Sequence, residues 1–274
     1  MINILRKIYH TPRIIKNYRL NKISNINYSP IFVLGNQKSG TSAIGALLGE
    51  LTNKPTTIDL EGLYEPVQSK LHRNEVSFET FLEKNKYDFS NEIIKEPSLT
   101  FLYDDIKRIF NTNKNVFIVR DPRDNIRSIL NRVDLPGDEE NIKESHPQKW
   151  KNAPINWKRV IDSRWLGTSG ENYIEWMSYR WLKCLDIYEQ NSDDFILIRY
   201  EDFIKNKKEA IENLAEELSL NIVNDISDKV NIQFQPPGNR KTNQKEFFGK
   251  RNLLRVETIC NTKMQKYGYD NLWY

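Results

Sequence analysis

The chain has 274 residues, of which 28% are charged and 38% are hydrophobic. No apolar stretch approaches the roughly 18 residues of a membrane-spanning helix, so we expect a soluble protein. The formal net charge is +4, and residues 1–28 alone carry six basic and no acidic side chains. Because this basicity is an N-terminal arm and not a face interleaved with aromatic residues, we expect no nucleic-acid partner.

The arm, residues 1–28, precedes a domain predicted to span residues 29–274. It could contact an anionic membrane or a glycan, or it could be a solvated tail. The two cysteines, Cys184 and Cys260, lie in helix-like segments and lack the spacing of metal ligands or of a disulfide framework. The N-terminus also lacks the apolar core of a secretory signal, so the expected location is the cytoplasm.

Strand and helix patterns alternate along the chain. The β-branched and aromatic run at 115–119 is typical of a central parallel strand that is covered on both faces. The predicted elements in chain order are a strand at 31–34, a helix at 43–52, a strand at 56–60, a helix at 75–84, a strand at 93–97, a helix at 98–110, a strand at 115–119, a helix at 122–132, an irregular insertion at 133–170, a helix at 171–191, a strand at 195–202, and helices at 207–218 and 253–267. This order predicts an α/β fold, with a central parallel sheet flanked by helices in a single domain and with ligands at the carboxyl ends of the strands.

The first strand runs into a turn with two glycines and a lysine, and a Thr-Ser pair opens the next helix. In such a turn the backbone N–H groups, the helix dipole and the hydroxyls bind a phosphate, so the motif predicts an anion site in a P-loop-like domain. It departs from the Walker A pattern, because the lysine precedes the second glycine by two residues and does not follow it. The residues of the motif are Gly35, Lys38, Ser39, Gly40, Thr41 and Ser42.

This turn resembles the 5′-phosphosulfate loop of the sulfotransferase family, whose donor is 3′-phosphoadenosine 5′-phosphosulfate (PAPS), and it is closer to the glycan-acting and bacterial branch. A second match follows the strand at 115–119, where Arg120 and Ser128 are similar to the family's 3′-phosphate site. Taken alone, Arg120 could instead form a surface ion pair with Asp121 or Asp124. The resemblance implies PAPS as co-substrate, 3′-phosphoadenosine 5′-phosphate (PAP) as product, and no required metal.

Two weaker matches add to the resemblance. Residues 198–203, IRYEDF, resemble a stretch that recurs in the family with a mostly structural role. Arg240 and Lys241 belong to a late basic stretch similar to the segment that closes over the nucleotide in the family. A solvated basic loop is the alternative for this pair.

The resemblance also implies catalytic roles. Lys38 would neutralise the departing oxygen of the donor, and Lys95 would contact the acceptor and the transferred group. Glu61 occupies the place of the glutamate base in the glycan-acting branch. The base that deprotonates the acceptor hydroxyl is left open among Glu61, Glu65, Glu96, His72 and His146.

The sequence therefore predicts an enzyme that moves a sulfonyl group from PAPS to an acceptor hydroxyl, with a carbohydrate as the favoured acceptor. The insertion at 133–170 would be an acceptor lid, because indole rings stack on sugars, although its tryptophans could equally form a local core. These are Trp150, Trp157 and Trp165. The alternatives are a P-loop kinase or triphosphatase, which the missing lysine after Gly40 disfavours, and a non-catalytic anion- or glycan-binding protein.

Overall fold

A computed structural model of the protein describes residues 19–112, 114–232 and 243–270. Within these ranges five parallel strands form one sheet. They are β1 (Ile31–Gly35), β2 (Thr56–Ile58), β3 (Ile93–Lys95), β4 (Asn115–Val119) and β5 (Phe195–Arg199). The order across the sheet is β2-β3-β1-β4-β5, so the turn that follows β1 lies at the centre of the carboxyl edge, between the ends of β3 and β4.

Helices connect and cover the strands. Those that lie wholly in the described ranges are α1 (Thr41–Thr52), α2 (Val67–His72), α3 (Phe78–Lys84), α4 (Tyr103–Ile109), α5 (Pro122–Arg132), α6 (Ile142–Ser145), α7 (Pro147–Asn152), α8 (Ile155–Ile161), α9 (Tyr173–Gln190), α10 (Tyr200–Phe203), α11 (Lys207–Glu217) and α12 (Gln244–Lys266). The α/β architecture with a central parallel sheet flanked by helices is confirmed.

Apolar side chains on the two faces of the sheet pack into two separate hydrophobic cores. Phe32 and Phe117 face the core that includes α5, α9 and α12, whereas Val33 and Val116 face the core of α1 and α11. All five residues of β4 are buried. This explains why the central strands are continuously apolar, and it leaves their carboxyl ends as the place where polar side chains gather.

Three stretches differ from the sequence-based boundaries. The helix predicted at 98–110 is a 3-10 helix, Pro97–Leu102, followed by α4. The insertion predicted to be irregular, 133–170, contains α6, α7 and α8, which have four to seven residues each and are too short to show a periodic pattern. The last helix begins nine residues earlier than predicted, because α12 includes a kink at Gly249, where φ is 60°.

Part of the basic arm lies against the domain. The Asn21 side chain donates to the Lys84 carbonyl at 2.7 Å and accepts from the Tyr87 N–H at 2.8 Å, and the Asn27 N–H donates to the Phe89 carbonyl at 2.8 Å. Contact of residues 1–28 with a membrane stays a prediction. Among the described residues, no helix is both long and apolar enough to cross a bilayer.

Candidate active site

A cleft of about 1250 Å³ opens at the carboxyl edge of the sheet, and its walls come from the loops after all five strands. It brings together nine of the residues singled out in the sequence. These are Lys38, Gly40, Thr41, Ser42, Glu61, Lys95, Glu96, Arg120 and Ser128. Gly35 and Ser39 belong to the same turn but do not line the cleft, and Arg240 and Lys241 lie outside the described residues.

The turn after β1 needs its two glycines. Gly35 has φ 138°, and a Cβ there would lie 2.5 Å from the Ile118 carbonyl oxygen on β4. Gly40 has φ 100°, and a Cβ there would lie 2.4 Å from the Tyr200 ring. Since both the left-handed backbone and the lack of space exclude a side chain, the turn can pass this close to its neighbours only with glycine.

The N-terminus of α1 is suited to binding an anion. Its N-cap is Gly40, which offers no side-chain cap, and the first turn holds no acidic residue. The first backbone N–H groups of a helix have no partner within the helix, and the helix dipole favours negative charge at this end. The adjoining Thr41 and Ser42 side chains lie in the wall of the cleft, so this end of the helix can bind a phosphate or sulfate group.

A buried polar network, missed by the sequence analysis, supports the turn from behind. The Asn125 side chain on α5 donates to the Gln37 carbonyl at 2.8 Å and to Ser39 Oγ at 3.0 Å. Arg180 on α9 donates to Asn36 Oδ1 at 3.0 Å and also bonds the Gln37 side chain. Burial lowers the pKa of Arg180 to about 9, so this fully buried side chain still carries its charge at neutral pH.

Arg120 and Ser128 face the cleft as predicted, at the start of α5 and two turns along it. Arg120 Nη1 donates to the Lys38 carbonyl at 2.8 Å, and its guanidinium lies 4.4 Å from the centre of the Tyr200 ring. The alternative of a surface ion pair does not hold. Asp121 pairs with Arg123 at 2.6 Å and Asp124 pairs with Arg127 at 2.8 Å.

Lys38 is the lysine of the turn, and its surroundings disfavour its charge. Burial, followed by the positive charges of Arg132, Arg120 and Lys95, lowers its pKa to about 8. Its backbone φ is 68°, an uncommon conformation for a residue with a side chain. An anion bound in the cleft would offset the neighbouring positive charges and raise this pKa.

Lys95 and Glu96, at the end of β3, have different surroundings. The Lys95 side chain is 3% exposed and forms an ion pair with Asp59, a cleft residue that the sequence analysis missed although it directly follows β2. Glu96 accepts from the Leu60 N–H at 3.0 Å and from the Ser98 N–H at 2.8 Å, and burial raises its pKa. Both oxygens of Glu96 therefore hold backbone in place.

The model of the Sulfotransferase domain family matches residues 29–251. This chain belongs to the sulfotransferase family. The family uses PAPS as donor, and the turn, the N-terminus of α1, Arg120 and Ser128 all line one cleft. Kinase or triphosphatase activity and a purely non-catalytic role are therefore set aside.

Solved structures similar to this sulfotransferase include the sulfotransferase domain from the curacin biosynthetic pathway, at 14% identity over 90% of this chain and 99% of that one, with a TM-score of 0.48. The sulfotransferase from Alicyclobacillus acidocaldarius is 12% identical over 86% and 97%, with a TM-score of 0.45. Mouse SULT7A1, complexed with PAP, is 13% identical over 91% and 88%, with a TM-score of 0.48. No curated protein matches the chain.

The four remaining candidates for the catalytic base differ in whether they line the cleft. Glu61 begins a 3-10 helix, Glu61–Leu63, and lines the cleft. Glu65 is paired with Arg159 at 2.9 Å and does not line the cleft. His72 is packed against Trp165, and burial lowers its pKa to about 4. His146 lies 3.4 Å from Glu139 and also does not line the cleft.

The cleft of the sulfotransferase has two halves. We call the turn, the N-terminus of α1, Arg120 and Ser128 the donor half. The acceptor half is a wall of Leu63, Tyr64, Pro154, Trp157 and Val160. Trp165 lies outside it, with its ring between Arg159 and His72, 3.8 Å and 4.3 Å away. Among the described residues, no group of three or more His, Cys, Asp or Glu side chains could hold a metal ion.

Proposed function

We propose that this sulfotransferase transfers the sulfonyl group of PAPS to a carbohydrate hydroxyl by in-line displacement. The observation that carries the proposal is that one cleft contains the anion-binding turn, a lysine, a glutamate and an aromatic wall. The donor half would bind the nucleotide at both ends. The turn and the α1 N-terminus would hold its 5′ end, and Arg120 with Ser128 would hold its 3′-phosphate.

PAPS supplies the sulfonyl group and a leaving oxygen that gains negative charge as the sulfur–oxygen bond breaks. Lys38 would hold a proton on Nζ and place its positive charge beside that oxygen. With a pKa of about 8 it is mostly protonated at pH 7. Arg120 donates to the Lys38 carbonyl and so holds the backbone of this part of the turn in place.

We assign Glu61 as the base for the acceptor hydroxyl. It lines the same cleft as Lys95 and the acceptor half, whereas both oxygens of Glu96 bond backbone N–H groups. We assign Glu96 to positioning β3 and the Leu60 segment. Lys95, held by Asp59, would contact the transferred group.

A sugar fits the acceptor half better than a long apolar alcohol does. Trp157 and Tyr64 offer ring faces, and the amides of Gln68 and Asn156, which also line the cleft, can bond hydroxyls. The cytoplasm remains the proposed location, because Cys184 and Cys260 are both free and buried.

Ligand-dependent melting tests the donor assignment. PAP should raise the melting temperature in the absence of Mg²⁺, and ATP and adenosine 5′-phosphosulfate should raise it less, because each lacks the 3′-phosphate that Arg120 and Ser128 bind. Incubation with PAPS and a panel of oligosaccharides and simple alcohols then tests the acceptor. Stabilisation by ATP that needs Mg²⁺, or transfer only to non-sugar alcohols, would contradict the proposal.

A further inference from the structure

Arg132 is a cation of the cleft to which neither the donor half nor the proposed chemistry assigns a role. It is the last residue of α5, its side chain is exposed, and it lines the cleft. Its guanidinium lies 5.9 Å from the centre of the Trp157 ring. It is therefore at the boundary between the two halves and next to the aromatic wall.

Other basic side chains in the cleft already have partners. Lys95 pairs with Asp59, Arg127 pairs with Asp124 at 2.8 Å, and Lys207 donates to the Val230 carbonyl at 2.8 Å. Arg132 has no ion pair within the described part of the chain. Its guanidinium has five N–H donors, and no carboxylate among the described residues forms an ion pair with them.

Arg132 lies further along α5 than Arg120 and Ser128, the residues proposed for the 3′-phosphate, and its charge acts on Lys38. Ser128, four residues earlier, lies one turn closer to the start of α5, where Arg120 lies. Residues four apart share a helix face, so Arg132 continues the cleft-facing row beyond Ser128 towards Trp157. An anion gripped by Arg132 would lie on the acceptor side of Lys38.

We propose that the acceptor carries a carboxylate, as in an acidic sugar, and that Arg132 binds this carboxylate while Trp157 packs against the ring. A guanidinium forms two parallel hydrogen bonds with a carboxylate, and the indole provides the flat apolar surface beside it. The bound carboxylate also offsets the repulsion between Arg132 and the positive charge of Lys38. This inference rests on the proposed sugar acceptor and names its class.

Two acceptor probes that differ only in the charge of one group test whether Arg132 binds a carboxylate. p-Nitrophenyl β-D-glucuronide and its uncharged carboxamide have the same ring hydroxyls, and both are titrated against the full-length enzyme saturated with PAP. We expect the carboxylate to bind about five- to tenfold more tightly, the range for an ion pair in a partly enclosed site. Arg132→Gln should abolish the difference, Arg132→Lys should keep part of it, and Arg251→Gln, which changes a side chain 72% exposed, should leave it unchanged.

Three outcomes would overturn the inference. They are equal binding of the two probes, no binding of either probe to the PAP-saturated enzyme, and a loss of PAP affinity in Arg132→Gln, which would place Arg132 on the donor. Each is distinct from failure of the proposed function, which would appear earlier as the absence of metal-independent stabilisation by PAP. Initial rates with PAPS provide a second readout. If Arg132 acted on the transferred sulfonyl group, Arg132→Gln would lower kcat equally for both probes.

Discussion

The donor half and the acceptor half of the cleft differ in how their side chains are held. Behind the donor turn lie Asn125 and Arg180, both fully buried; Asn125 is bonded to three groups of the turn and Arg180 to two. In the acceptor half, Tyr64 is 44% exposed, and Arg132, at the boundary between the two halves, lines the cleft without an ion pair in the described part of the chain. The donor turn is therefore held by a buried hydrogen-bond network, whereas the acceptor half combines the buried apolar side chains of Leu63 and Val160 with the exposed ring of Tyr64.

This difference predicts that substitutions in the donor half change the rate or the nucleotide affinity strongly, whereas substitutions in the acceptor half change mainly the acceptor KM. The largest effect is expected at Lys38. Lys38→Ala should lower kcat by about 10²- to 10³-fold, because the charge that develops on the leaving oxygen loses its positioned cation. Single-turnover rates with saturating PAPS measure this, and Lys38→Arg, which keeps a cation, should lose less. A loss below about tenfold in Lys38→Ala would contradict the assigned role.

Arg120 tests the second anchor of the nucleotide. Arg120→Ala should weaken PAP binding by about 10- to 100-fold, the value of a charge-assisted hydrogen bond to phosphate. Binding of adenosine 5′-phosphosulfate, which has no 3′-phosphate, should change little. Calorimetric titration of both ligands gives the comparison. Equal losses for the two ligands would mean that Arg120 acts only through its bond to the Lys38 carbonyl.

The donor half could be predicted from sequence because its parts are local. The strand, the glycine turn and the helix start are contiguous, and Arg120 follows another parallel strand, so the shared direction of the strands brings all of them to one edge of the sheet. Residues 133–170 were assigned poorly, because short helices have no period to detect. Their role as an acceptor lid stays a prediction.

The support behind the turn could not be predicted in the same way. Arg180 lies 144 residues from Asn36 in sequence, and only the packing of α9 against the sheet joins them. The pairing of Asp59 with Lys95 follows from the sheet, because β2 and β3 are neighbours and Ile58 is in register with Lys95. An acidic residue directly after β2 is thus placed beside the end of β3. Finding this pair required the strand order, which the sequence pattern does not give.

The pH dependence of PAP affinity tests whether the cleft suppresses the charge of Lys38. The pKa of Lys38 is lowered to about 8, so the free enzyme loses this proton as the pH rises through 8. Because the anion binds the protonated form better, PAP affinity should be nearly constant below about pH 7, fall about fivefold from pH 8 to pH 9 and continue to fall above pH 9. Titrations at fixed ionic strength measure this. Lys38→Arg should flatten the profile, and an unchanged slope in that variant would assign the titration to another group.

The smallest effect is expected in the acceptor half, where the chain provides its own matched control. Trp157 lines the cleft, whereas Trp165 lies between Arg159 and His72 and donates from Nε1 to the Arg159 carbonyl at 3.0 Å. Trp157→Ala should raise the acceptor KM about fivefold, through loss of about 1 kcal/mol of ring contact, with PAP affinity unchanged and a small fall in melting temperature, because the ring also packs against the core. Trp165→Ala should instead lower the melting temperature, because it removes a packed ring and leaves a carbonyl without its donor. If both variants lower the melting temperature and neither changes KM, the tryptophans of this insertion form a core and the acceptor half lies elsewhere.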